Sequence, residues 1–279
     1  MDQAQLADAL LPVVLEAARV QMRYFKSGTA ITTKSDATPV TAADQESEAL
    51  IVAALARIAP GVPIIAEEAV ATSGLPQALA KAEPRLRGGF FLVDPLDGTR
   101  EFVADRPEFT INIAHIVNGV PRFGIIYAPA MGMLYVTTDI GQAVEVTIQP
   151  TSKATRFADT GATEIHTRKA PAEGLVAVAS RSHATPGTDA FLGQYKVIRR
   201  TAAGSSLKFC LVAKGAADIY PRVGRTMEWD TAAGHAVLAA AGGTVTTLDG
   251  VPLLYGNVAQ LFRNPDYVAW GRQPLTPEH

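Results

Sequence analysis

At 279 residues and 48% apolar content, the chain can bury a substantial core as one large domain or as two closely packed ones. A formal net charge of -2, with 19% charged residues, leaves no basic field of the kind that holds long nucleic acid by counterion release; a small phosphate ester needs only a local cluster. One cysteine, Cys210, excludes an internal disulfide and fits a reducing compartment, and its apolar run Leu207-Lys208-Phe209-Cys210-Leu211-Val212 suggests a buried thiol more than a nucleophile.

The start, Met1-Asp2-Gln3-Ala4-Gln5, has no basic region, and Asp8 and Glu16 interrupt the apolar stretch that follows, so no signal peptide is expected. Leu6, Leu10, Val14 and Ala18 recur at helical spacing, with Asp2 and Gln5 as a capping pair, and predict a helix to about Lys26 that Pro12 bends or delays. The polar stretch Thr32 to Pro39 reads as a loop. Thr41 then reads as the N-cap of a helix carrying Ser47, Ile51, Leu55 and Ile58, stopped by Pro60-Gly61. Val62 to Ala66 and Phe90 to Val93 are short apolar runs ending in acids, as buried strands that deliver carboxylates would be.

From Phe109 to Ile148 the pattern predicts an antiparallel meander: Ile111 to Val117, the Asn118-Gly119 turn, Phe123 to Tyr127, Met133 to Thr137, and Ala143 to Ile148. After Pro150, the polar residues to about Pro171 read as a connection between subdomains. Strands are expected at Leu175 to Ala179 and Tyr195 to Arg199. Helices are expected at Thr188 to Gln194, Ser205 to Lys214 and Thr231 to Ala241. Thr244 to Thr247 and Val251 to Leu254 read as a hairpin across Leu248-Asp249-Gly250. The expected organisation is an α+β subdomain over 1–150 and an α/β subdomain over 151–279. Apolar runs fall short of the roughly 20 residues a bilayer span takes. The expected location is the cytoplasm, with peripheral association at the cytoplasmic face of the inner membrane left open, as monomer or homodimer.

The segment richest in chemistry is Phe90-Phe91-Leu92-Val93-Asp94-Pro95-Leu96-Asp97-Gly98-Thr99-Arg100, a buried strand running into two aspartates and a glycine. Two carboxylates on a turn stiffened by Pro95, with the Leu96 carbonyl between them, can hold hard cations. A helix beginning at Gly98-Thr99 would aim free amides at a phosphate. Each acid also has an ordinary explanation. Asp-Pro-x-Asp-Gly is a turn composition, Asp44 complements a helix dipole, Glu67 and Glu68 can be solvated, and Asp230 can cap the helix from Thr231.

The sequence resembles the inositol monophosphatase superfamily over nearly its whole length. Two long patterns carry the resemblance: Phe91-Leu92-Val93-Asp94-Pro95-Leu96-Asp97-Gly98-Thr99 and Trp229-Asp230-Thr231-Ala232-Ala233-Gly234. Within the superfamily, four further segments look like the CysQ-type 3'(2'),5'-bisphosphate nucleotidases: Ser35 to Asp44, Ser180-Arg181-Ser182-His183, Gly204-Ser205-Ser206-Leu207-Lys208-Phe209-Cys210, and Ile219-Tyr220-Pro221-Arg222. Arg100 stands where lysine is common in that branch.

The resemblance implies a layered αβαβα sandwich and two or three Mg2+ ions held by Glu67, Asp94, the Leu96 carbonyl, Asp97 and Asp230. It implies that Asp44 and Thr99, with Glu67, prepare the attacking water. Gly98, Thr99, Ser180, His183, Gly204, Ser205, Lys208, Arg222 and Asp230 become candidates for contacting a small nucleotide. The implied reaction removes the 3'-phosphate of adenosine 3',5'-bisphosphate, or of its sulfated relative, in support of sulfur assimilation.

From residue types alone, His183 reads as a loop residue open to solvent and Lys208 as a surface residue of an amphipathic helix. No Gly-x-x-x-x-Gly-Lys-Ser/Thr and no strand-borne Gly-x-Gly-x-x-Gly is present, so a P-loop kinase and a dinucleotide oxidoreductase are unsupported. Asp94 and Asp97 are separated by two residues, not by the one that phosphoaspartate phosphatases need. The histidines lack zinc spacing. Remaining alternatives are an inositol monophosphatase or sugar bisphosphatase on the same fold, and a non-catalytic phosphate- or metal-sensing protein.

Overall fold

The chain is described by a computed structural model covering residues 1–27, 31–33, 39–74, 88–180 and 185–276, with the side chains of 31–33, 39 and 40 left aside. Asp2 opens helix α1 (Gln3–Tyr24) with a full capping box, since its carboxylate takes the Gln5 amide while Gln5 returns to the Asp2 amide. Pro12 lies on the exposed face and the helix runs through it, so the start is not delayed. Strands β1 (Ile31–Thr33) and β2 (Pro39–Thr41), missed in the loop reading, pair antiparallel and lead into α2 (Ala42–Ile58), capped by Thr41. Ser35 to Thr38 lie outside the described residues.

A seven-stranded sheet follows in the order β3 (Ile64–Ala66), β4 (Phe90–Asp97), β5 (Thr110–Val117), β6 (Val120–Ala128), β7 (Met133–Asp139), β8 (Gln142–Thr147), β9 (Thr163–Ile165). Only β3 and β4 run parallel; the rest is the expected meander, with Asn118 and Gly119 both at positive φ in its first turn. The stretch read as a connection contributes β9, so this sheet runs on past residue 150. Helix α3 (Glu67–Ser73) leaves β3, and α4 (Thr99–Val103) leaves β4.

The second sheet has the order β11-β10-β12-β14-β13. Its strands are β10 (Leu175–Ser180), β11 (Val197–Ala203), β12 (Ile219–Arg222), β13 (Thr244–Thr247) and β14 (Tyr267–Trp270), linked through helices α5 (Pro186–Leu192), α6 (Leu207–Ala213) and α7 (Glu228–Ala240). The hairpin expected at Thr244 to Leu254 is present in a short form, with the Thr247 amide on the Val251 carbonyl and the Leu253 amide on the Val245 carbonyl. Val251 to Leu254 supplies one bridge, Thr246 to Pro252, and the strand that pairs with β13 is β14.

Alternation along the strands sorts the core into layers. Phe91, Val93, Ile111 and Ile113 face α1 and α2. Phe90, Leu92, Ala114 and Ile116 face α6 and α7, which also cover Val176, Val178 and Tyr220 of the second sheet. Leu175, Ala177 and Ile219 turn the other way, onto Phe191 and Leu192 of α5. The order is helices, sheet, helices, sheet, helix, the expected αβαβα sandwich. Helix α7 lies close on β6 because residue 124 is glycine: a Cβ there would stand 2.4 Å from the Ala233 carbonyl oxygen.

Candidate active site

Two carboxylates reach one face of β4 through a bulge. Asp94 pairs with Asn112 and Asp97 with Thr110, so β4 spends one more residue than β5 between the two pairs. On a regular strand, residues at i and i+3 face opposite sides, and the extra residue restores a common side. Gly98 then takes φ 90, a left-handed conformation that side chains disfavour, and opens α4 at Thr99. The buried Asp94 carboxylate accepts the Leu96 amide at 3.0 Å.

The remaining acids stand in the first turns of helices. Asp44, at the third position of α2, accepts the Thr41 amide at 2.8 Å and the Thr41 hydroxyl at 2.7 Å on Oδ2. Its Oδ1 accepts the Thr99 hydroxyl at 3.2 Å. The helix-end role and the pairing with Thr99 therefore coexist, one on each oxygen. Glu67 opens α3. Asp230 is not a cap in front of Thr231: α7 begins at Glu228, and Asp230 sits within its first turn with Oδ2 on the Met227 amide at 2.8 Å.

Glu67, Asp94 and Asp230 each bring an oxygen atom to within 4.8 Å of the others. An all-oxygen carboxylate set suits a hard divalent cation. Burial pushes the Asp230 carboxyl well above its usual range, and the negative charges of Asp97 and Glu67 add to this, against the Met227 amide and Arg222. That is the behaviour of anions gathered for a cation.

Asp97 faces the same cleft, but its Oδ2 is held by protein donors: Ser205 Oγ at 2.6 Å, Ser206 Oγ at 3.1 Å and Asn112 Nδ2 at 3.3 Å. The cleft has a volume of about 220 Å³ and is lined by Glu67, Asp94, Asp97 and Asp230 together with Lys208, Arg222 and Arg225. Leu96, Gly98, Thr99, Ser180, Gly204 and Ser205 also line it. Gly204 is needed for close approach, since a Cβ there would stand 2.7 Å from the Glu108 carbonyl oxygen.

Lys208 is buried, not a surface residue. Its ammonium donates to the Ser205 carbonyl and lies 5.5 Å from the centre of the Tyr220 ring. Cys210 is buried as expected, and desolvation drives its thiol pKa far up. His183 lies outside the described residues.

Three residues escaped the sequence reading. Arg225 is exposed at the cleft. Asn112 is a buried polar residue inside the apolar strand β5, which was its only signal. Glu48 lies one helical turn beyond Asp44 on α2, a spacing that puts both on one face. Its carboxylate accepts the Glu68 and Ala69 amides, each at 2.7 Å, and so closes the start of α3, which has no side-chain cap of its own.

A profile of the Inositol monophosphatase family matches residues 2–272. The 3'(2'),5'-bisphosphate nucleotidase CysQ of Escherichia coli (strain K12) is 39% identical over 237 residues, covering 85% of this chain and 87% of the relative. That of Buchnera aphidicola is 40% identical over 222 residues, 80% and 76% of the two chains. The crystal structure of CysQ from Bacteroides thetaiotaomicron, described as a bacterial member of the inositol monophosphatase family, superimposes with a TM-score of 0.81 at 31% identity, covering 97% and 98%. The Thermotoga maritima inositol monophosphatase structure, at 22% identity and TM-score 0.68 over 93% and 89%, shares the fold.

Proposed function

The chain belongs to the inositol monophosphatase family, and on that premise we propose that it is a magnesium-dependent 3'(2'),5'-bisphosphate nucleotidase. Its reaction is hydrolysis of the 3'-phosphate of adenosine 3',5'-bisphosphate, with the sulfated form as a second substrate, giving AMP and phosphate from the first. The observation that carries this reading is the mixed lining of one cleft. A carboxylate cluster and the basic Lys208, Arg222 and Arg225 line it together, which suits a substrate with two phosphates, one for the cation site and one for the basic side chains.

The donor set fits magnesium because every candidate ligand is an oxygen and three carboxylates converge. Glu67, Asp94, Asp97, Asp230 and the Leu96 carbonyl would hold it, and magnesium there would polarise the phosphate, offset charge on the leaving oxygen and ease ionisation of water. The chain's own part is orientation. Asp44 accepts the hydrogen bond of the Thr99 hydroxyl, which leaves a lone pair of the Thr99 oxygen available as acceptor for the attacking water. The basic side chains hold the phosphate that does not react. Ser180, and His183 beyond the described residues, belong to the nucleoside side of this reading.

The cytoplasm, with its reducing conditions, is the compartment of this proposal, supported by the single buried thiol. No helix among the described residues is long and apolar enough to cross a membrane. Phosphate release from adenosine 3',5'-bisphosphate, inositol 1-phosphate and fructose 1,6-bisphosphate, measured side by side with Mg2+, tests the assignment. The bisphosphate nucleotide should have the highest kcat/KM; a higher value for inositol 1-phosphate overturns it.

A further inference from the structure

Asp97 is held by three side-chain donors from two chain segments at once. Besides Ser205 and Ser206, which precede α6, it receives the amide of Asn112 on β5. The orientation of that amide is fixed by charge. Thr110 donates to Asn112 Oδ1 at 3.0 Å, leaving Nδ2 to donate to Asp97 and, at 2.8 Å, to Ser206 Oγ. The reverse orientation would set the amide oxygen against the Asp97 carboxylate. Thr110 Oγ1 also lies against Ser205 Oγ, and the two hydroxyl protons are shared among three contacts, to Asn112, to Asp97 and to each other.

Ser206 has one hydroxyl proton and two acceptors within reach, Asp97 Oδ2 at 3.1 Å and the Asp230 carbonyl oxygen at 2.9 Å. Through this one oxygen the network joins the end of β4 to the first turn of α7, two elements that bring carboxylates to the cleft from opposite halves of the chain. Asn112 and Ser206 are both buried, so water does not compete for these bonds.

We propose that Asn112 and Ser206 are positioning residues: together they set the free oxygen of Asp97 and the first turn of α7 at the spacing a cation requires. The proposal rests on reading the acid cluster as a magnesium site. Neither side chain need touch the ion or the substrate. Donors to the far oxygen of a carboxylate fix its rotamer and the direction of the near oxygen, and loss of such a partner typically lowers metal affinity about 10- to 100-fold.

Binding can be read without turnover. The melting temperature of the intact protein is followed against Mg2+ concentration, and Tb3+ luminescence is titrated on the free protein with Mg2+ as competitor. Asn112→Ala and Ser206→Ala should each raise the Mg2+ concentration for half the melting shift by about 10- to 100-fold, while Ser206→Thr, which keeps the hydroxyl, should stay close to the parent chain. In turnover, the alanine variants should need more Mg2+ and recover their rate when it is saturating.

Equal melting losses with and without Mg2+, and an unchanged Mg2+ midpoint, would make the network structural only and overturn the proposal. Ser206→Ala removes a single atom and carries the test alone if Asn112→Ala does not fold. A parent chain with no Mg2+-dependent shift would remove the metal site itself, a failure distinct from variants that match a responsive parent.

Discussion

At the scale of single residues, Thr99 has one hydroxyl proton and two acceptors at the same distance, Asp44 Oδ1 and the Leu96 carbonyl oxygen, both at 3.2 Å. A cation drawing on the Leu96 carbonyl leaves Asp44 as the acceptor, and the pair then has a fixed direction. Thr99→Ala should lower kcat by about 10² to 10⁴ with little change in KM, the range for a positioned acid-base group, and Thr99→Ser should restore most of it. Steady-state kinetics decide this, and near-full turnover by the alanine variant would remove Thr99 from the chemistry. The sequence made Asp94, Asp97 and Thr99 visible because they lie within one short segment. Residue types alone left Lys208 open to a surface reading, because helical spacing identifies a face without saying what covers it. Asn112 was passed over because its partners Ser206 and Asp97 are far from it in sequence.

At the scale of elements, the decisive contacts are those by which one helix settles another. Glu48, in the body of α2, closes the N-terminus of α3 and so fixes the residue that starts it, Glu67. Glu48→Ala leaves two amides without their charged acceptor. Hydrogen bonds to charged groups contribute about 1.5 to 3 kcal/mol each, so a loss of at least about 2 kcal/mol is expected in denaturant unfolding. Since Glu67 moves with the helix start, the Mg2+ requirement should rise as well; a variant as stable as the parent would show that solvent takes over the capping. Element type was mostly legible, because period-2 and period-3.6 patterns are local. Pairing was not. Thr244 to Thr247 makes the short hairpin that Leu248-Asp249-Gly250 announces, yet its full ladder is with β14, reached after a long excursion. β9 was hidden in polar sequence because an edge strand needs little apolar surface.

At the scale of the whole molecule, α7 lies between two sheets and carries two titratable groups of opposite behaviour. Burial lowers the His235 pKa to about 3, with Nδ1 3.1 Å from the Tyr255 hydroxyl. Its neutral form is built into the fold, so its contribution is complete above the unfolded value near 6.5 and is lost progressively as pH falls toward 3. Burial raises the Glu228 carboxyl to about 7, although the Gly256 and Asn257 amides bind it, so its contribution is complete below 4.5 and is lost as pH rises through 7. The two slopes oppose each other between pH 5 and 6.5, and comparison with His235→Asn isolates one of them. As pH falls from 6.5 to 5, the stability deficit of that variant should narrow by up to about 2 kcal/mol, at roughly 1.4 kcal/mol per pH unit. A constant deficit in urea unfolding would mean the histidine is protonated in the fold.

The acids at the helix starts carry one further consequence, for the comparison of lineages. Asp44 and Asp230 each give one oxygen to the backbone amide that begins their helix. A descendant that had ceased to hydrolyse anything would still be selected to keep a capping side chain at both places, and asparagine would serve the backbone nearly as well as aspartate. Thr99 does no such capping: Gly98 turns the chain into α4, and the Thr99 hydroxyl reaches Asp44 and the Leu96 carbonyl instead. Among descendants of this fold, the survival of Thr99 is therefore the sounder mark of a working enzyme, and drift from aspartate to asparagine at positions 44 and 230 is the first trace of one that has retired.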